Sequence, residues 1–297
     1  MTAWCVSVGL LLGMSACVGD VDPESPSAGP GSATSGGGPG PGRHELTLDH
    51  DGVTRAYRLH APAGHEPGRP VPLVIALHPY PGSGVEMSRL VGLDDVAARE
   101  NFLVAYPDGI AGGFNALVCC GTADDVGFLR RLAGHLVDTW RVDPDRVYLT
   151  GISNGGDLAF RAAVEASGTF AAIGVASGGF IGERVAAANY RPERPVSVIT
   201  FIGGRDKYAA QFRSGIETWR ERLGCSPVDP APTSPAAGVE VSRSTCGDGS
   251  DVEVHLIENM GHAWPGARGE GLAAPDAGVV ATELIWEFFA AHPRRRG

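Results

Sequence analysis

The chain has 297 residues, of which 43% are hydrophobic and 20% charged, and its formal net charge is −10. This acidic balance argues against nucleic acid or an anionic membrane surface as a partner, because both bind clustered cations. The length is sufficient for one well-buried α/β domain in addition to an N-terminal segment of different composition.

That N-terminal segment is expected to lie outside the folded domain. Residues 4–16 are mostly apolar and lead to Cys17 through Met-Ser-Ala, which resembles the cleavage box of a bacterial lipoprotein. The run is too short to span a bilayer. We therefore expect a lipoprotein-like signal peptide over residues 1–17, with Cys17 as the lipidation site. A Gly/Pro/Ser-rich disordered tether is expected over 18–42 and one folded domain over 43–297, secreted or held at a membrane by the lipid.

Four cysteines fall within the expected domain. In an exported protein an even number favours disulfides over metal ligands. Cys225 and Cys246 flank a Pro/Gly/Ser-rich loop and are the expected pair, whereas adjacent Cys119 and Cys120 fit either a vicinal disulfide or two thiols. The chain contains no HExxH motif and no spaced CxxC motif, so neither a metal nor another cofactor is expected.

Strand and helix patterns alternate along the domain. Residues 45–49 and 54–60 are predicted to form a hairpin that turns at Asp51-Gly52. The apolar run VPLVIAL at residues 71–77 is typical of a strand buried on both faces. Further strands are predicted at 102–106, 146–149, 172–176, 196–202 and 252–258, and helices at 90–100, 124–140, 157–166 and 279–291. This order predicts an α/β fold with a mostly parallel sheet and helices on both faces.

A serine stands at the turn between a predicted strand and a predicted helix. The turn reads GISNG over residues 151–155. Glycines on both sides allow a turn so sharp that Ser153 is forced into a strained backbone conformation, which exposes its hydroxyl. The helix that follows would direct free N–H groups and its positive dipole end at negative charge on a substrate. The alternative is a Gly/Ser loop without chemical function.

A serine nucleophile needs a base that accepts its proton and an acid that orients the base. Asp206 and His262 each follow a predicted strand, and the chain order Ser, Asp, His is typical of a nucleophile at a strand-to-helix turn. Parallel strands end at one edge of a sheet, so we predict that Ser153, Asp206 and His262 converge as a triad. The alternatives are a turn carboxylate for Asp206 and a surface-loop histidine for His262.

The loop after the strand VPLVIAL reads HPYPGSG. Its two prolines carry no backbone N–H, so Tyr80 is the expected donor to an oxyanion hole, together with Asn154, the residue after the serine. The alternative is a Pro/Gly turn that only changes the chain direction. Further aromatic residues are candidates for the wall of a substrate pocket or for ordinary packing: Phe114, Tyr208 and Trp264.

Several motifs occur together along the domain: LHPYPGSG, AYPDG, CCG with DDVGFL, RVDPDRVYLTGISNGGDLAFRAA and GHAWPG. The set resembles the secreted esterase family of polyhydroxybutyrate depolymerases, feruloyl esterases and acetylxylan esterases, over essentially the whole domain. The resemblance implies an α/β-hydrolase fold, with Ser153 as nucleophile, Asp206 as acid, His262 as base and an oxyanion contribution from the Tyr80 loop. Pro79 departs from the family pattern, which usually has glycine directly after the histidine of the first motif.

The resemblance implies a serine esterase that cleaves carboxylic esters through an acyl-enzyme. A hydroxyalkanoate oligomer or a plant polysaccharide ester is the implied substrate. Two alternatives remain open at this point. A serine peptidase or other hydrolase of the same fold uses the same three residue types. A non-catalytic, polysaccharide-binding surface protein would need none of them.

Overall fold

Ten strands form one mixed sheet in the computed structural model, which describes residues 40–228 and 236–294. The strands are β1 Gly42–His50, β2 Val53–Ala61, β3 Val71–Leu77, β4 Leu103–Pro107, β5 Val142–Ile152, β6 Ala172–Ala176, β7 Ser197–Gly203, β8 Ser226–Pro227, β9 Val239–Thr245 and β10 Asp251–Ile257. Their order across the sheet is β1-β2-β4-β3-β5-β6-β7-β10-β9-β8. The six strands from β4 to β10 in this order are parallel, and the strands outside them pair antiparallel.

Helices cover both faces of this sheet, as predicted. They are α1 Gly84–Val91, α2 Leu93–Glu100, α3 Asp125–Trp140, α4 Asn154–Glu165, α5 Ala209–Leu223 and α6 Ala281–Ala291, with a short 3-10 helix at Glu183–Ala186 and a small strand pair, β11 Trp264–Pro265 and β12 Ala273–Ala274. Helices α3, α4 and α5 share one apolar core with the sheet, while α1, α2 and α6 share the other. All seven residues of β3 are buried, which confirms the strand predicted from VPLVIAL.

The strand order reverses beside β3. The chain passes from β3 to β4 on one side and then returns to place β5 on the other side. A crevice forms at such a switch point, beyond the carboxyl ends of the strands, and ligands of open α/β sheets bind there. The loop that contains Tyr80 follows β3 and the turn that contains Ser153 follows β5, so both begin at this crevice.

The hairpin and most other predicted elements are confirmed, with one division. The hairpin of β1 and β2 turns at Asp51 and Gly52, both of which have positive φ. The helix predicted over 90–100 is instead two helices, α1 and α2, because Gly92 adopts a left-handed conformation with φ 64° that ends the first of them.

Two substantial elements were not predicted. Helix α5 buries Phe212, Ile216, Trp219 and Leu223, whose spacing of four, three and four residues is typical of a helix. Strand β9 pairs antiparallel with β10 and alternates buried and exposed residues near the edge of the sheet.

Both cysteine pairs in the domain are disulfides. Cys225 is bonded to Cys246, as predicted, and adjacent Cys119 and Cys120 are bonded to each other, which decides between the two states that the sequence left open. The expected signal peptide, its Cys17 and residues 18–39 of the expected tether lie outside the described residues. Within 40–228 and 236–294, no helix combines the length and apolarity needed to cross a membrane.

Removal of the longer disulfide is expected to destabilise the domain. Replacing Cys225 and Cys246 by serine should lower the free energy of unfolding by about 3 kcal/mol, because the bond closes a loop of sequence separation 21 and restricts the unfolded chain. Urea denaturation measures the change. The double variant Cys119→Ser, Cys120→Ser is the matched control, since its bond closes almost no loop, and equal losses in both variants would contradict the explanation.

Candidate active site

Ser153 lies between β5 and α4 with φ 55° and ψ −123°, so the strained backbone predicted for this turn is present. The two glycines of the turn allow the strand and helix to approach each other. A Cβ atom on Gly155 would lie 2.3 Å from the carbonyl oxygen of Leu77, and one on Gly151 would lie 2.5 Å from the carbonyl carbon of Gly155. Helix α4 therefore begins directly after the serine, three residues earlier than predicted.

Asp206 and His262 are hydrogen-bonded to each other. The distance from Asp206 Oδ2 to His262 Nδ1 is 2.7 Å, and the Asp206 side chain is fully buried while that of His262 is 25% exposed. The other carboxylate oxygen, Oδ1, accepts a hydrogen bond from the Tyr208 N–H at 3.0 Å. This arrangement orients the imidazole and leaves its Nε2 atom free to act as a base.

Backbone contacts hold the loops of these two residues together. The Arg205 N–H donates to the Met260 carbonyl oxygen at 2.9 Å, and a Cβ atom on Gly203 would lie 2.3 Å from the Gly261 carbonyl oxygen. The Ser177 hydroxyl joins the histidine loop to the end of β6, because it donates to the Ala263 carbonyl oxygen and accepts from the Ala263 N–H. Residues 56 positions apart are thus brought into contact.

Ser177 connects this histidine loop to the serine turn, through its hydroxyl on one side and its carbonyl oxygen on the other. The Ser153 N–H donates to the carbonyl oxygens of Ala176 and Ser177, at 3.2 and 3.1 Å. Ser177 is fully buried and stands after β6, with a positive φ of 47°. Sequence reasoning missed it, although a serine at the carboxyl end of a buried strand was the available signal.

One cavity of about 810 Å³ is lined by every residue predicted to belong to the triad or the oxyanion hole, except the buried Asp206. Its wall includes Ser153, His262, Tyr80, Asn154 and Tyr208. Among the described residues the Ser153 hydroxyl makes no hydrogen bond to His262; catalytic contacts of this kind commonly tighten only when substrate binds. The cavity opens at the carboxyl ends of the parallel strands, which is where the strand order predicts a ligand site.

His78 supports the loop that carries Tyr80. Its Nε2 atom accepts a hydrogen bond from the Gly109 N–H at 2.9 Å, so the ring proton is on Nδ1, which donates to the Pro79 carbonyl oxygen at 2.7 Å. Burial lowers the pKa of the His78 imidazole, which favours this neutral form. The Gly82 N–H donates to the Gly112 carbonyl oxygen at 3.0 Å, which joins the same loop to the one after β4.

The side chain of Asn154 is used for structure. Its amide oxygen accepts from the Phe114 N–H at 2.9 Å, and its amide nitrogen donates to the carbonyl oxygens of Phe114 and Cys119. These bonds fix residues 114–119 against the start of α4. The backbone N–H of Asn154 belongs to the first turn of the helix, where N–H groups have no partner within the helix.

Two of the predicted pocket aromatics are elsewhere. Phe114 and Trp264 are both fully buried and neither is part of the cavity wall. The Phe114 ring packs against His78, with ring centroids 4.4 Å apart, and the Trp264 indole N–H donates to the Thr282 hydroxyl at 3.0 Å. These rings brace loops of the site, which corrects their assignment as pocket residues, whereas Tyr208 does line the cavity.

Three residues outside the wall of this cavity could together hold a metal ion. His50, Asp51 and Asp124 place one ligand atom each within 4.8 Å of one another at the surface. His50 already forms a hydrogen bond with Asp124, with 3.0 Å between its Nε2 atom and Oδ2, and none of the three residues lines the cavity. The chemistry available to Ser153, His262 and Asp206 requires no metal ion.

Comparison with known proteins identifies the family. The family described as "Esterase PHB depolymerase" matches residues 55–191. The chain is 31% identical over 254 residues to the protein named "Putative esterase NocK" of Nocardia uniformis subsp. tsuyamanensis, and the match covers 72% of each chain. The chain belongs to the esterase PHB depolymerase family. It is a carboxylic ester hydrolase.

A further relative and a solved structure are consistent with this family. Over 224 residues the chain is 26% identical to "Feruloyl esterase B" of Piromyces equi, covering 68% of this chain and 41% of that relative. The structure of "Acetyl xylan esterase from Aspergillus awamori" superposes with a TM-score of 0.62 at 15% identity, over 84% of this chain and 99% of that one. That likeness shows the shared α/β-hydrolase fold.

Proposed function

We propose that this family member is an exported serine esterase that works through an acyl-enzyme. In the first step Ser153 Oγ attacks the ester carbonyl carbon while His262 Nε2 accepts the hydroxyl proton. The imidazolium then protonates the leaving alcohol, and Asp206 stabilises the positive charge through Nδ1. Water repeats the sequence on the acyl-enzyme, with His262 again as base, and releases the acid.

The negative oxygen of each tetrahedral intermediate is assigned to two backbone N–H groups. One is that of Asn154, at the positive end of the α4 dipole, and the other is that of Tyr80 in the loop after β3. Support comes from the cavity, whose wall includes both residues together with Ser153. The His78 ring and the Asn154 amide would keep these donors in place, because each is tied to neighbouring backbone by several hydrogen bonds.

The observation that carries the proposal is the 2.7 Å hydrogen bond between His262 and buried Asp206 in a site whose cavity wall holds Ser153. Export is supported by the signal-like residues 1–17, which precede the proposed tether, 18–42, and catalytic domain, 43–297. The two disulfides also support it, because such bonds persist in oxidising compartments. Lipid attachment through Cys17 would then anchor the domain to a membrane.

A comparison of ester and amide substrates tests the reaction class. We expect turnover of p-nitrophenyl butanoate and no comparable turnover of peptide p-nitroanilides, because an alkoxide or phenolate leaves more readily than an amine once the acyl carbon is attacked. Release of p-nitrophenol or p-nitroaniline is followed spectrophotometrically. Turnover of the anilides alone would overturn the esterase proposal in favour of a peptidase.

The natural ester is proposed to be a plant polysaccharide ester or a hydroxyalkanoate oligomer. Relatives named feruloyl esterase and acetylxylan esterase/xylanase support the first class, and the name of the family supports the second. A panel of methyl ferulate, acetylated xylan and 3-hydroxybutyrate oligomers, ranked by kcat/KM, separates these substrates.

A further inference from the structure

One carboxyl group in the cavity wall has no part in the proposed triad. Asp157 is on α4, four residues after Ser153, and its N–H donates to the Ser153 carbonyl oxygen at 2.9 Å. Asp157 is 8% exposed and lines the same cavity as Ser153 and His262. Because Ser153 and Asp157 line one cavity, a substrate bound at Ser153 lies in the same cavity as this carboxyl group.

One of the two oxygens of the Asp157 carboxyl group has a hydrogen-bond partner in the protein. Oδ1 accepts a hydrogen bond from the Gly179 N–H at 2.9 Å. No donor within the described residues contacts Oδ2, and that oxygen is not among the buried atoms sealed from solvent, so it opens to the cavity. Burial raises the pKa of the Asp157 carboxyl to about 7, because its charged form is desolvated and only the Gly179 N–H opposes this effect.

Apart from His262, the described residues of the cavity wall offer no group that could carry a positive charge to balance that carboxylate. Within the described residues its wall holds no Arg or Lys, and Asp157 is its only acidic residue. Cations on neighbouring segments are engaged with other groups. Arg161, one turn further along α4, donates to Glu165 and to the Asn115 carbonyl oxygen. Arg222 lies against the Phe180 ring and donates to backbone carbonyl oxygens, and Lys207 lies against the Tyr208 ring. A buried charge is stabilised chiefly by an opposite charge, so a cation supplied by the ligand would complete this arrangement.

We propose that Asp157 is a specificity-determining residue that pairs with a cationic ammonium group of the substrate. The cavity then favours positively charged esters over neutral esters of the same shape. This inference rests on the proposed esterase function. The Tyr80 and Phe212 rings in the same wall offer apolar and π surface for alkyl groups on the cation. The net charge of −10 would raise the local concentration of cationic substrates.

Two isosteric pairs of esters test the charge preference. Acetylcholine and 3,3-dimethylbutyl acetate place the charged or neutral group in the alcohol. Methyl 4-(trimethylammonio)butanoate and methyl 5,5-dimethylhexanoate place it in the acyl chain. At about pH 8, above the Asp157 pKa of about 7, wild-type kcat/KM should favour the charged member of at least one pair by about 10- to 100-fold.

The variant Asp157→Asn separates recognition from structure. Its amide oxygen can still accept from the Gly179 N–H, so we expect an intact fold and neutral-ester rates close to wild type. Only the charged ester should lose its advantage. Glu183→Gln is the matched control, because it removes one negative charge from an exposed position outside the cavity wall and should leave the preference intact.

The outcomes distinguish this inference from the proposed function. Hydrolysis of neutral esters without a charge preference overturns the role of Asp157 and leaves the esterase proposal standing. The same holds if the preference survives in Asp157→Asn, or if that variant slows all esters equally, as a purely structural carboxylate would predict. No hydrolysis of any of the four esters or of p-nitrophenyl butanoate by the wild-type protein overturns the proposed function itself.

Discussion

Replacing Ser153 by alanine is expected to lower kcat for p-nitrophenyl butanoate by about 10⁵- to 10⁶-fold. A methyl group cannot attack the carbonyl carbon, so the remaining rate would come from water acting beside the oxyanion donors. The change should leave the turn intact, because alanine at φ 55° meets the same backbone strain as the serine. Initial rates and circular dichroism measure the two effects.

The structure offers a matched control for this variant. Ser214 also lines the cavity but is an exposed residue of α5, outside the strand-to-helix turn, so Ser214→Ala should keep a rate near that of wild type. A phosphorylating ester inhibitor should add its mass to Ser153 both in the wild-type protein and in the Ser214→Ala variant. In the Ser153→Ala variant it should modify neither position. Wild-type rates in Ser153→Ala would remove the nucleophile from the proposal.

Replacing Asp206 by asparagine is expected to lower kcat by about 10⁴-fold while the melting temperature changes little. The amide is close to the carboxylate in shape, so it fits the buried position. It carries no charge to stabilise the imidazolium, and its NH₂ group favours the tautomer with the proton on Nε2, where His262 cannot accept the serine proton. Steady-state kinetics and thermal denaturation together test this expectation.

A second Asp–His pair in the molecule provides the control for Asp206. Asp124 Oδ2 lies 3.0 Å from His50 Nε2, and the Asp124 side chain also caps α3. Asp124→Asn should preserve kcat, since asparagine is also a good N-cap and neither residue of the pair lines the cavity. Equal losses of kcat in both variants would indicate that stability, rather than orientation of the base, explains the effect.

Local patterns predicted most of the fold. The apolar run of β3 and the spacing of apolar residues in α3 reflect burial that neighbouring residues already encode. The turn at Ser153 was also predicted from local residues, because glycines at fixed positions are needed wherever one backbone segment turns tightly against another. The division at Gly92 and the unpredicted α5 show that the spacing of apolar residues predicts short or largely polar helices less well.

The proposed Ser153, Asp206 and His262 triad was named from chain order and strand ends, but the contacts around it were not. His78 and Ser177 act through loops that come from distant parts of the chain, and their partners are backbone groups that no side-chain pattern announces. The state of Cys119 and Cys120 was equally open, because both a bonded and a free pair fit the sequence.

By itself the sequence determined the order of strands and helices, the strained serine turn and the candidate residues at strand ends, since each depends on residues close together in the chain. Only the tertiary structure decided which side chains reach the cavity. Phe114 and Trp264 are enclosed by packing from other elements, whereas Asp157 lines a cavity whose described wall residues include no Arg or Lys. Exposure and charge at a site depend on every segment that folds against it, and those segments are far apart in sequence.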